Sequence, residues 1–84
     1  MLLKIRQRIF LNELVIEIHE PQKSSFKALL KDDKGTVCSA LEMETEKNQC
    51  LYKWRGLNEL PYGVYTCQIL DGIEETNTQL VKRI

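Results

Sequence analysis

Any chemistry performed by this chain would have to come from one histidine, three cysteines, a few hydroxyls and some closely spaced acids. His19 lies beside Glu20 and Pro21, and a triad or metal centre built on it needs partners at spacings the sequence does not supply. It reads as a surface histidine. Cys38, Cys50 and Cys67 are separated by 12 and 17 residues, which is not the paired spacing of a zinc site. Buried free thiols are expected, the alternative being one disulfide with one cysteine left over if the domain is exported. Glu42, Glu44 and Glu46 occupy alternate positions and would share one face of a strand, so a solvated face is favoured over a cation site. Asp32 and Asp33 sit in Asp-Asp-Lys-Gly, which offers too few ligands for a cation but suffices for a turn. Ser24 and Ser25 lack a glycine-flanked elbow, and no phosphate-binding glycine loop is present. The chain is therefore expected to be no enzyme and to need no cofactor.

The elements that would carry these residues must fit in 84 residues, room for a single small domain and one modest core. With 43% hydrophobic and 29% charged residues, four glycines and two prolines, the composition is that of a folded globule. A core of this size leaves roughly 3 to 5 kcal/mol of net stability, so packing against a partner or a parent chain would help it. Twelve basic and twelve acidic residues cancel, which removes the field that attracts nucleic acid or an anionic bilayer. No stretch approaches the ~20 apolar residues that span a membrane, so membrane insertion is not expected. The start, MLLKIRQRIFLNELVIEI, is broken by charge every second or third residue and has no small-residue cleavage site, unlike a secretory signal. A cytoplasmic location follows if the chain is complete as given, and the periplasm or cell surface if it is a fragment of an exported protein.

The dominant period is two. Leu14, Ile16 and Ile18 alternate with Val15, Glu17 and His19; Phe26, Ala28 and Leu30 with Lys27, Leu29 and Lys31; Val37, Ser39, Leu41 and Met43 with Cys38, Ala40, Glu42 and Glu44. Turn signals separate these runs, and Gly35 and Gly72 each stand where a hairpin asks for positive φ. After Asp71 and Gly72 the loop is expected to be long, because Glu74 and Glu75 delay the next alternation until about Thr76. Only residues 39–51 compete for a helix, and their alternation argues against it. About seven strands result, near 3–9, 13–19, 25–31, 36–44, 50–54, 63–70 and 76–82. Seven short antiparallel strands with turns every 8 to 12 residues have the sequence form of an immunoglobulin-like β-sandwich filling residues 1–84.

Trp54, Tyr52, Tyr62 and Tyr65 cluster in sequence around Pro61. Such a group could bind a sugar or a peptide, but it more often plugs one end of a small sandwich, and core and corner packing is the favoured reading. Tyr65 follows a corner early in its strand, where a tyrosine hydroxyl bonds back to nearby backbone, with Gly63 letting the chain turn beneath it.

From Asn12 onward the order of segments, NELVIEI, the hairpin FKALLKDDKGTVCSA, LNELPYGVYTCQI, an Asp-Gly turn and a closing TQLVKRI, resembles the C-terminal sorting domain of proteins exported by the type IX secretion system of Bacteroidetes. Leu57, Leu60, Pro61, Gly63 and Tyr65 match that family's Leu-x-x-Leu-Pro-x-Gly-x-Tyr segment, Asp32 and Gly35 its hairpin, and Val81, Lys82 and Arg83 its basic last strand. The sequence departs from the family in lacking a Pro-Asn-Pro lead-in, where Phe10, Leu11 and Asn12 stand, and in carrying Trp54, Arg55 and Gly56 before the leucine motif.

The resemblance implies a folded signal recognised by an outer-membrane export machinery, with the partner-binding residues in the last strand at Val81, Lys82 and Arg83. An edge strand with unpaired backbone groups is a natural template for a partner strand, and its basic residues limit unwanted pairing. On this reading, removing residues 81–84 should abolish export yet leave the other strands folded. Two alternatives remain: a general immunoglobulin-like interaction or spacer module of a surface protein, which the Trp54, Arg55, Gly56 segment suits slightly better, and a free-standing cytoplasmic protein.

Overall fold

Strands form mostly where apolar and polar residues alternate, and the alternation is clearest in Leu14–His19 and Ser24–Lys31, which turn their apolar sets inward. The computed structural model describes residues 1–84 and contains eight strands: β1 (Leu2–Lys4), β2 (Ile9–Phe10), β3 (Leu14–His19), β4 (Ser24–Lys31), β5 (Val37–Thr45), β6 (Leu51–Trp54), β7 (Gly63–Asp71) and β8 (Glu74–Lys82). They build two sheets, one ordered β1-β3-β6 and the other β2-β8-β7-β4-β5. Leu3, Leu14, Ile16, Ile18 and Trp54 from the first sheet meet Phe10, Phe26, Ala28, Leu30, Tyr65, Cys67, Ile69 and Leu80 from the second in one core. The alternation read in β3 and β4 is the burial seen there, since Val15, Glu17, Lys27 and Leu29 lie on the opposite faces.

Eight strands rather than seven arise because the first expected strand breaks in two. Leu3 and Ile5 point into the core, but the phase then slips so that Phe10 points inward and Ile9 outward. Between them the chain leaves one sheet and joins the other. β1 pairs antiparallel with β3, whereas β2 runs parallel to β8 through Ile9↔Val81 and Phe10↔Lys82, so the strands are not all antiparallel. Gln7 holds the crossing: its side-chain oxygen accepts the Val15 N–H at 2.7 Å, a bond that a neighbouring strand would otherwise supply. The folded unit thus takes in residues ahead of Asn12, because Leu3, Ile5 and Phe10 are core residues.

The loop expected after Asp71 is also shorter than its sequence suggests. Asp71 pairs with Glu74, leaving only Gly72 and Ile73 in the turn. Gly72 takes φ +62° and Ile73 has no positive φ, the pattern of a type II′ hairpin turn. Pairing with β7 carries Glu74 and Glu75 into the strand although neither is apolar. At the other hairpin, Asp32 accepts the N–H groups of Lys34 and Thr36 at 2.9 Å each, and Gly35 has φ +82°.

β5 lies at the margin of the five-stranded sheet, where the core covers its inner face only in part. Leu41 and Met43 are consequently half-buried, and Val37 is 47% exposed instead of inward. Glu42, Glu44 and Glu46 are exposed. Thr45 closes the inner end of this strand, its hydroxyl donating to the Gln22 carbonyl at 2.6 Å.

Glu20, in the turn between β3 and β4, has φ +53°, a left-handed conformation that costs a residue with a Cβ roughly 1 to 2 kcal/mol. A Glu20→Gly variant is expected to be more stable by up to about 1 kcal/mol, part of the relief being offset by the freedom glycine gains in the unfolded chain. An unchanged or lower urea midpoint would show that the turn is not strained.

Candidate functional site

The residues that carry the sequence resemblance converge at one end of the sandwich. After β6 the chain passes Gly56 and drops the Leu57 side chain into the core, with the Leu57 N–H donating to the Asn12 carbonyl at 3.3 Å. The Leu60 N–H closes a turn onto the Leu57 carbonyl at 3.3 Å. Gly63 then starts β7 with φ +152°, a backbone that side chains rarely adopt. Two polar side chains hold this loop. The Tyr65 hydroxyl donates to the Pro61 carbonyl at 2.6 Å, and the Lys82 ammonium donates to the carbonyls of Leu57 at 2.5 Å and Leu60 at 2.7 Å.

Lys82 is therefore misplaced by a reading that puts it on an exposed basic terminus. It is 1% exposed. In the two-residue period of β8, Lys82 shares the inward face with Leu80, and the inward face there meets the turn at residues 57–60. Carbonyl oxygens, not carboxylates, receive its protons. Removing residues 81–84 would take this cation and its bonds to the Leu57 and Leu60 carbonyls away, so that truncation is expected to cost stability at this end as well as the terminal strand. Nor is the end of β8 a free edge: the Val81 N–H donates to the Arg8 carbonyl at 2.8 Å and the Arg83 N–H to the Phe10 carbonyl at 3.2 Å.

The aromatic residues part company. Trp54 is 5% exposed and belongs to the core, Tyr52 is half-buried against it, and Tyr62 is 60% exposed. Tyr65 meets Phe10 edge-on, with ring centroids 5.8 Å apart and planes at 69°. A surface aromatic platform around Pro61 does not form, and Trp54 is unavailable to a ligand.

Outside the closed end, side chains of opposite parity line up. Ile9, Val81 and Val64 occupy one row across β2, β8 and β7, all on the outer face. Ile9 and Val64 are exposed and Val81 half-buried, with exposed Arg83 beside them. Of the expected partner-binding residues, Val81 and Arg83 thus remain at the surface, while Ile9 and Val64 join the face unforeseen. The β-branched residue types at outward positions were the available signal; the parallel β2–β8 pairing that aligns them has none.

The remaining candidates are dispersed. The three cysteines are free, but only Cys67 is buried; Cys38 is half-buried and Cys50 exposed. His19 is half-exposed at the end of β3, 3.0 Å from Glu17, which also accepts from Arg6 at 2.8 Å. Hydrogen bonds from Arg6 and then His19 hold the Glu17 carboxyl below its usual range. No group of three or more His, Cys, Asp or Glu side chains converges. Burial pushes the Tyr65 phenol up, and it pushes the Cys67 thiol up to about 12.

A Lys82→Met variant is expected to lose about 2 to 4 kcal/mol, because the Leu57 and Leu60 carbonyls lose their donor, and Tyr65→Phe about 1 to 2 kcal/mol. Chemical denaturation checks both; a Lys82→Met loss below about 0.5 kcal/mol would mean that water replaces the ammonium. Because the native state holds the Cys67 proton more tightly than the unfolded chain, its contribution is complete below the unfolded thiol range, about 8.5, and is lost as pH rises toward the folded value. Thiol titration at pH 8 should accordingly label Cys50 at once and Cys67 only on unfolding; equal labelling rates would contradict the buried placement. Comparison with known proteins finds no family model that matches the sequence and no curated protein that matches it.

Proposed function

We propose that this chain is an immunoglobulin-like β-sandwich without chemistry of its own, acting as a C-terminal sorting domain of the type IX kind that an export machinery recognises as a folded unit. Support for the immunoglobulin-like topology comes from the sheet orders β1-β3-β6 and β2-β8-β7-β4-β5 and from the bond of Tyr65 to the Pro61 carbonyl four residues upstream, in the manner of a tyrosine corner.

The sorting reading rests on one observation. Leu57, Leu60, Pro61, Gly63 and Tyr65, which resemble the family's most specific segment, are tied to the last strand by Lys82, which matches the family's basic end. Two stretches that look like separate motifs in the sequence act as one physical unit. That unit backs the exposed row of Ile9, Val81 and Val64 with Arg83, and this face is the docking surface on this reading, since a clustered apolar patch rimmed by charge suits a protein partner.

A reporter carrying residues 1–84 at its C-terminus, made in a type IX-competent bacterium, is expected at the cell surface. The whole chain is needed because Leu3, Ile5 and Phe10 fill the core. A Val64→Lys variant, folded by circular dichroism, is expected to leave the reporter in the periplasm. Surface delivery of Val64→Lys at the parent level removes the face from the reading, and periplasmic retention of the unmodified fusion overturns the reading itself.

A further inference from the structure

β8 has two edges, and only one is fully used. Its inner edge pairs with β7 from Glu74 to Lys82. On its outer edge β2 pairs with Val81 and Lys82 alone, so residues 74–79 have no neighbouring strand there. The Val81 N–H points to that outer edge, since it donates to the Arg8 carbonyl. By the two-residue period of a strand, the N–H and C=O groups of Glu75, Asn77 and Gln79 point the same way, while those of Thr76, Thr78 and Leu80 face β7. The result is a short row of unpaired backbone donors and acceptors.

The charges at the two ends of this row are opposite. At the hairpin end stand Asp71, Glu74 and Glu75, none of them in an ion pair. Glu75 is oriented by amides instead, accepting from Gln68 at 2.6 Å and Asn77 at 3.1 Å. At the β2 end stands Arg8, exposed and also without an ion-pair partner.

We propose that this edge pairs antiparallel with the same edge of a second copy of the chain, about a two-fold axis near Asn77, joining the two five-stranded sheets into one. Antiparallel pairing sets the acidic hairpin end of each copy against Arg8 of the other, so the charges are satisfied twice by symmetry. Backbone groups of Glu75, Asn77 and Gln79 supply the bonds, and Thr76, Asn77, Thr78 and Gln79 face one another across the seam. Zero formal net charge places no overall repulsion between the copies.

The other free edges suit a second copy less well. β5 is long, but its only charges are Glu42, Glu44 and no cation, so self-pairing would bring glutamates together; it is also distorted by the register shift between Leu30 and Lys31. β1, β2 and β6 have three, two and four residues.

Sedimentation equilibrium from about 1 µM to 1 mM is expected to show a monomer–dimer equilibrium for the full chain. Glu74→Lys and Arg8→Glu, both at exposed positions, should each weaken it about tenfold, and the double variant should return to within about threefold of the parent. Amide exchange supplies a second reading: Glu75, Asn77 and Gln79 should gain protection as concentration rises, whereas Thr76, Thr78 and Leu80 are protected throughout. A monomer over the whole range, single variants that match the parent, or concentration-dependent protection on β5 instead of β8 would each overturn the proposal.

Discussion

The architecture depends on a buried ammonium that has backbone carbonyls for partners. Taking Lys82 out of water carries a desolvation cost of several kcal/mol, and only well-placed acceptors make the arrangement stable. The carbonyls of Leu57 and Leu60 have the complementary need, because the turn they belong to is folded over the core with no strand beside it. Each group answers the other's requirement. The same contact positions Leu57 in the core, brings Pro61 to the Tyr65 hydroxyl, and fixes the inward face of β8 and hence the outward face that Val81 shares with Ile9 and Val64.

Much of this fold was legible in the alternation of residue types, because a half-buried strand must alternate. Leu14, Ile16, Ile18, Phe26, Ala28 and Leu30 could be placed inward on that ground alone, and Asp32 with Gly35 announced a hairpin. The misreadings share a cause. Whether Glu74 and Glu75 belong to a strand is decided by β7, their neighbour, and not by their own polarity. The break between Leu3 and Phe10 is a change of sheet, which shows in sequence only as a slipped phase. Lys82 read as surface because a lysine is almost never buried; only the turn 25 residues upstream explains the exception.

The inequality of the two sheets explains the remaining texture of the surface. Three strands cannot cover five, so β5 keeps Leu41 and Met43 half-buried and relies on its glutamates to stay solvated. The expected corner tyrosine formed its bond, whereas the expected aromatic cluster did not, since strand parity sends Trp54 and Tyr65 inward while Tyr62 lies in the bend before β7, exposed to water. Position in or out of a strand, and parity within it, thus sorted the aromatics more strictly than their closeness in sequence.

The place of Lys82 in the chain also bears on how the sandwich closes during folding. The donor that closes the 57–60 turn lies in the last strand, and the parallel pair joins Ile9 to Val81 across nearly the whole sequence. Closing such distant contacts is slow compared with forming local hairpins, so β4–β5 and β7–β8 can assemble while the end of the sandwich is still open. A growing polypeptide delivers Lys82 after everything that it caps, and completion of the core is thereby deferred until synthesis has passed that residue.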